Sequence, residues 1–394
     1  MDTLLIAGGR IITPDGSIEN GAVLIQAGKI ACVGPSEPMY QLEVDRTIDA
    51  SDCIVAPGYI DMHIHGAAGA DAMDASREAL STMASFAASR GVTGFLPTVM
   101  SSPLEQMTAA CQAAVQYIES AAESSPINGA QVLGINVEGP FFNTDARGAQ
   151  PAEGIYPPSR DVLKAILDAG NGHVRVMSVA PEMPGALDII EALNAMGILA
   201  SIGHTQASFD QTAAAAQAGA RLTTHTFNAM RGLHHREPGT VGAALTIDEL
   251  SCEAIADGIH LHPAAAALIA RTKGCDRTVL ITDAMRAAGL PDGVYDLAGQ
   301  RVTVTEGAAR LDNGSLAGST LTLDRAVANM ARFARIPIEK AISMASSTPA
   351  RLIGLGSTKG HIRRGMDGDI VILSHDLEVR TTIVMGTVVY GAGS

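Results

Sequence analysis

Residues 54–66 read Ile-Val-Ala-Pro-Gly-Tyr-Ile-Asp-Met-His-Ile-His-Gly, and this run constrains the fold more than any other. Successive side chains of a strand point to opposite faces, so His63 and His65 share one face while Met62 and Ile64 pack on the other. Two imidazoles then converge on one point. Gly66 follows at once and ends the strand. In a parallel α/β architecture the carboxyl ends of strands are where chemistry gathers. Taken alone, a His-x-His strand fits either a polar face or a metal site.

From Ile54 to about Gly356 the chain alternates apolar strands with Ala-rich helices, the pattern of repeated βα units and a parallel sheet. Candidate strands end at His65, Pro97-Thr98, Glu138, near Val179, at His204, at His225, near Ala256 and at Asp283. Helices are expected over Arg77–Ser89, Pro103–Glu123, Ser159–Ala169, Ala186–Met196 and Ser208–Ala218. Eight such strands predict a closed (β/α)8 TIM-type barrel. No GxGxxG run follows an early strand, which disfavours a dinucleotide-binding sheet. Residues 3–50 and the tail from Asp369 consist of short β-rich runs broken by turn signals such as Pro14-Asp15-Gly16 and Met385-Gly386. The two ends are expected to form one small β-sandwich module, residues 1–53 with 357–394, around a catalytic barrel at 54–356.

With 394 residues, 47% of them hydrophobic, the chain can bury a large core without staples. Five scattered cysteines, none in CxxC spacing, fit reduced thiols, and a cytoplasmic address is expected. The first ten residues lack the basic start and long apolar core of a signal peptide, and no stretch approaches a membrane span. A net charge of −14 argues against nucleic acid and anionic membranes as partners. Any phosphate bound must meet a local cationic pocket.

Reading only the strand ends gives His63, His65, Glu138, His204, His225 and Asp283. A barrel brings all six to one mouth, and this set of nitrogen and carboxylate donors suits one catalytic divalent site or two adjoining ones. Singly, each has an ordinary reading: Glu138 as a turn cap, His204 as a backbone hydrogen bonder, Asp283 as a helix cap. Six coincidences at strand ends are harder to sustain. His173 reads as surface and His262 as structural, while His260 follows the seventh strand and can reach the mouth. His234 and His235, with Arg231 and Arg236, form a basic cluster that is either a solvated loop or an anion site.

These residues carry a resemblance. Gly58-Tyr59-Ile60-Asp61-Met62-His63-Ile64-His65-Gly66, with Asp283 on the last strand, resembles the amidohydrolase superfamily. Val137-Glu138-Gly139-Pro140-Phe141, Gly203-His204-Thr205, His225-Thr226-Phe227-Asn228-Ala229-Met230, Arg236-Glu237-Pro238-Gly239, Asp257-Gly258-Ile259-His260, Thr282-Asp283-Ala284-Met285 and Leu316-Ala317-Gly318-Ser319 are similar, in order, to the N-acetylglucosamine-6-phosphate deacetylase family. The resemblance implies metal-dependent hydrolysis of a phosphorylated, N-acetylated amino sugar. It implies that Glu138 takes the place of a bridging carbamylated Lys and holds one ion with His204 and His225. A second ion would lie among His63, His65, Glu138 and Asp283. Zinc is the first expectation and iron or another first-row ion an alternative, with one or two ions per chain. Asn228, Ala229, Arg236, His260 and the Leu316, Ala317, Gly318 loop are implied as sugar-phosphate contacts, Arg236 reaching the substrate of the neighbouring subunit in a homodimer. Gln150 stands where one branch of the family has His near the scissile carbonyl. Asp283 is the expected catalytic base. Alternatives are a preference for N-acetylgalactosamine 6-phosphate, a cyclic-amide hydrolase, which would show a bridging Lys, and a non-catalytic scaffold, which would have shed ligands.

Overall fold

The structure is a computed structural model that describes residues 3–123 and 128–391; residues 1–2 and 392–394 of the expected terminal module lie outside it. Eight strands follow in chain order: β1 (Tyr59–Ile64), β2 (Val92–Met100), β3 (Ile135–Phe141), β4 (Val174–Val179), β5 (Leu199–Ile202), β6 (Leu222–Thr223), β7 (Ser251–Ala254) and β8 (Thr278–Leu280). Each pairs in parallel with the next. Every residue of β1, β2 and β3 is buried, which is why these runs are nearly continuous in apolar residues rather than alternating. The result is the expected (β/α)8 barrel.

The seam between β8 and β1 is made by side chains as well as backbone. The Asp283 N–H donates to the His63 carbonyl at 2.9 Å. The Thr282 hydroxyl donates to Asp61 Oδ2 at 2.6 Å. The last strand is thereby locked to the first at the level where the candidate ligands emerge.

The covering helices start where short polar side chains can replace missing backbone partners. Helix α1 (Arg77–Ala88) is capped by Ser76, α2 is Leu104–Glu123, α3 (Arg160–Ala169) is capped by Ser159, and α4 is Ala186–Ala195. Helix α5 (Phe209–Ala218) opens with a reciprocal box between Ser208 and Gln211. On α3 only Leu163 and Ile166 are buried, one turn apart on the face against the barrel. His262 accepts from the Ala264 N–H at 3.2 Å and caps the helix Pro263–Arg277.

A second sheet, built from both chain ends, runs in the order Thr387–Gly391, Val379–Val384, Ile370–Leu373, Ile54–Pro57, Thr3–Thr13, Gly16–Gln26, Lys29–Pro35, with Arg46–Asp49 beside Thr3–Thr13. Ile54–Pro57, read from sequence as the start of the barrel, lies in this sheet, and the chain changes sheets at Gly58. Buried Lys359 joins the two bodies, reaching Asp369 at 2.6 Å, Asp367 at 2.9 Å and Gln131 beside β2 at 2.6 Å. After β8 comes a three-stranded antiparallel meander, Gly293–Leu297, Gln300–Thr305 and Ala308–Leu311, which strand–helix alternation does not announce. Its inner face packs Leu297, Val302 and Val304 against Met100 and Met285. Among the described residues, no helix is long and apolar enough to cross a membrane.

Candidate functional site

All six strand-end residues meet at the carboxyl mouth, each buried. They form two triads, Glu138 with His204 and His225, and His63 with His65 and Asp283. In the first, Glu138 Oε1 lies 3.1 Å from His204 Nε2 and 3.0 Å from His225 Nε2, and the two nitrogens are 3.2 Å apart. In the second, Asp283 Oδ1 is 3.2 Å from His65 Nε2 and 3.5 Å from His63 Nε2. Glu138 spans both, its Oε2 lying 3.2 Å from His65 Nε2.

The backbone is bent to achieve this. His204, His225 and Asp283 have φ of 46°, 30° and 49°, in the left-handed region that side-chain-bearing residues rarely occupy. Such a conformation costs of order 1–3 kcal/mol per residue and persists where the surroundings enforce it. It turns the side chains back into the barrel mouth. Glycines make room beside them: at Gly66, next to His65, a Cβ would sit 2.3 Å from the Ala70 carbonyl oxygen.

Hydrogen-bond partners fix the imidazoles. His204 Nδ1 faces the Ala146 carbonyl at 3.0 Å and His225 Nδ1 faces the Asn228 carbonyl at 3.2 Å. A carbonyl only accepts, so each Nδ1 carries a proton, and in the neutral ring each Nε2 presents a lone pair. Two lone pairs and a carboxylate oxygen therefore converge on one point, an arrangement that repels itself unless a positive charge lies between. His63 repeats the pattern, with Nδ1 held 3.1 Å from Glu253 Oε2 and a fully buried Nε2 that has no hydrogen-bond partner among the described residues. Donors about 2.0–2.1 Å from a tetrahedral ion stand roughly 3.3 Å apart, and the separations here bracket that value. The residues fit a divalent cation.

The electrostatics agree. Burial alone lowers the pKa of an imidazole, yet the Asp283 and Glu138 carboxylates outweigh it and hold His65 up at about 10. Burial likewise opposes the charge of Glu138, but His63, His204 and His225 overcome it and keep that carboxyl well below its ordinary value. The cluster draws in positive charge.

Above the triads opens a cavity of about 600 Å3, within the range of small-molecule sites. Gln150, Asn228, Ala229, His260, Leu316 and Gly318 line it. His260 Nδ1 is pinned by Asp257 Oδ2 at 2.6 Å. Gln150 is more deeply committed than a simple lining residue: its amide donates to Glu138 Oε2 at 2.6 Å and its oxygen accepts from the Ser101 N–H at 3.0 Å. Two expected contacts are placed elsewhere. Ala317 is wholly buried, its N–H bonded to the Ala309 carbonyl at 3.1 Å, so it supports the loop from behind the meander. Arg236 lies on the exposed loop around His234 and His235, its Nη1 donating to His235 Nε2 at 2.7 Å, and outside the lining of this cavity.

Glu253 is the residue the sequence reading passed over. It is 1% exposed on β7, and the sign of it in the sequence is a lone carboxylate in the otherwise uncharged run Ser251-Cys252-Glu253-Ala254-Ile255-Ala256.

A barrel whose mouth joins two histidine–carboxylate triads under a small-molecule cavity is the build of a metal-dependent hydrolase. The chain belongs to the amidohydrolase family, whose profile matches residues 54–389. It is 40% identical over 392 residues to the N-acetylglucosamine-6-phosphate deacetylase of Bacillus subtilis (strain 168), covering 99% of this chain and 98% of that one. It is 38% identical over 384 residues to an N-acetylgalactosamine-6-phosphate deacetylase of Escherichia coli O157:H7, covering 98% of each. Among solved structures, a mutant of the Mycobacterium smegmatis N-acetyl-D-glucosamine-6-phosphate deacetylase in complex with N-acetyl-D-glucosamine-6-phosphate superposes with a TM-score of 0.91 at 31% identity, over 99% of this chain and 100% of that one. The Thermotoga maritima deacetylase gives 0.87 at 34% identity, over 98% and 100%.

Proposed function

We propose that this chain hydrolyses N-acetyl-D-glucosamine 6-phosphate to D-glucosamine 6-phosphate and acetate. The observation that carries the reading is the convergence of the His204 and His225 Nε2 lone pairs on Glu138 Oε1 beneath the cavity. Glu138, His204 and His225 would hold one divalent ion, and His63, His65 and Asp283 a second, with zinc first among candidates for a nitrogen and oxygen donor set. When bound, such an ion lowers the pKa of a water to about 7 and withdraws charge from a carbonyl oxygen.

The chain's own residues do the rest. Asp283, at the floor of the cavity, accepts the proton that water gives up as its oxygen bonds to the acetyl carbon. Asp283 then returns that proton to the amide nitrogen as the C–N bond breaks, because an amide nitrogen must be protonated to leave. His63 and His65 hold Asp283 in its ionised form: burial raises its pKa, and the histidines more than offset this. Gln150 keeps Glu138 turned so that Oε1 serves His204 and His225. Asn228, Ala229, Leu316 and Gly318 would seat the sugar. His260, with Nδ1 engaged by Asp257, has its other ring nitrogen for the substrate. Arg236, exposed outside this chain's own cavity, is assigned to the phosphate in the neighbouring subunit of a homodimer, where a guanidinium matches phosphate oxygens.

The Escherichia coli relative supports a second reading, that the galacto epimer is the better substrate. Acetate release from the two phosphorylated epimers and from unphosphorylated N-acetylglucosamine tests both. The gluco phosphate is expected to be turned over fastest. Equal rates with and without the phosphate would remove the case for an anion clamp.

A further inference from the structure

Two imidazoles stand at the end of β1, His63 within it and His65 just past it, and among the described residues only His63 is anchored from behind. His63 Nδ1 donates to Glu253 Oε2 at 3.1 Å, whereas the buried His65 Nδ1 has no hydrogen-bond partner among the described residues. The same Glu253 oxygen also accepts the main-chain N–H of His225 at 3.0 Å. The Glu253 backbone carbonyl accepts the Thr226 N–H at 3.0 Å. One buried carboxylate on β7 thus grips a side chain of the second triad and the backbone of the first. His225 is one of the residues forced to positive φ, with φ 30°, so this grip acts on a strained turn.

We infer that Glu253 is a positioning residue that sets His63 as the anchor ligand of the second cation site and mechanically couples the two triads. It touches neither substrate nor the reacting atoms. By accepting the Nδ1–H hydrogen bond it favours the tautomer in which Nε2 offers a lone pair between Glu138 and Asp283, which lie 3.6 and 3.5 Å away. His65 Nδ1 has no such partner among the described residues, so no carboxylate behind that ring sets it in place. The inference rests on reading the triads as cation sites, and predicts that they differ in how they depend on Glu253.

The experiment is a competition titration of chelator-stripped protein with zinc or cobalt, read by metal content and by the cobalt absorption bands, on wild type, Glu253→Gln and His65→Asn. His65→Asn marks which transition belongs to the second triad. Wild type is expected to take two ions per chain. Glu253→Gln is expected to weaken the second by roughly 10–100-fold while the first changes only a few-fold. Unchanged affinities, or an equal fall at both sites together with a lowered Tm, overturn the assignment. A wild type that takes one ion at saturation is a different result: it refutes the two-site reading and removes the role of Glu253 with it. If Glu253→Gln does not fold, nitrogen-15 spectra of wild type decide, with His63→Asn to assign the signal. The proton must sit on Nδ1 of His63, and an Nε2–H tautomer overturns the inference.

Discussion

The Thr282 hydroxyl donates to Asp61 Oδ2 at 2.6 Å, and that contact ties the last barrel strand to the first, one residue before Asp283 and two before His63. Asp61 is wholly buried; burial pushes its pKa up to about 7, and the bonds from Thr282 and His63 restrain the rise. Removing the donor leaves a buried carboxyl oxygen unsatisfied, which costs about 1–3 kcal/mol. Thr282→Val is therefore expected to lose that much stability in urea unfolding, and metal retention should fall with it. An unchanged midpoint would show that the seam is held by backbone alone.

Asp283→Asn keeps the shape of the side chain and removes its ability to shuttle a proton. General acid–base catalysis is worth roughly 100- to 10,000-fold, so kcat should fall by at least about 100-fold in a preparation whose metal content has been measured. Near-normal turnover in metal-loaded Asp283→Asn would assign the proton transfer to another group.

Lys359 holds the terminal sheet to the barrel, and its loss strands the buried Asp369 carboxylate, while Asp367 keeps Lys29 as a partner. Burial works to lower its pKa, but Asp369 and Asp367 outweigh this and hold it above its ordinary 10.5. Breaking a buried ion pair from one side costs about 3–5 kcal/mol, so Lys359→Met is expected to be destabilised on that scale. The sign of the pH dependence follows from the raised pKa. The stabilisation is complete below 10.5 and is lost as pH rises through the higher folded-state value. The stability gap between wild type and Lys359→Met should thus be flat near neutrality and narrow in strong alkali. A gap that widens with alkali would contradict the pairing.

Arg236 and Asp283 are proposed to serve the same site from different subunits. Arg236→Ala should raise KM for the phosphorylated sugar by about tenfold or more, the scale of one charge-assisted hydrogen bond at about 1.5–3 kcal/mol. It should leave the unphosphorylated sugar unaffected. Coexpressed Arg236→Ala and Asp283→Asn chains should regain low-KM turnover of the phosphorylated sugar, which neither has alone, because one of the two mixed sites then has both residues intact. Failure to complement in a preparation shown to contain mixed dimers would place Arg236 at its own chain's site, or at none.

The barrel and its six mouth residues were legible because strand ends are marked twice in the sequence, by the end of an apolar run and by the polar residue that follows, as at His63, Glu138 and Asp283. What lay beyond reach depended on geometry that leaves no periodic trace. The left-handed turns at His204, His225 and Asp283 carry no glycine to announce them. Glu253 acts by pinning a side chain across the barrel, 190 residues away in sequence, and Gln150, named from the sequence, was not marked there as a partner of Glu138. The meander lies between β8 and the helix Leu323–Ala334, and its short alternating strands resemble loop. Ile54–Pro57 is as apolar as a barrel strand because it is buried in the middle of a different sheet.

The most direct measurement is acetate release from N-acetyl-D-glucosamine 6-phosphate by protein stripped with a chelator and then restored with measured amounts of a divalent ion. Activity is expected to be lost on stripping and to return in proportion to the ion taken up, with one acetate formed for each free amine. Hydrolysis that continues unchanged in protein shown to be free of metal would contradict the account, as would a fully loaded protein that releases no acetate.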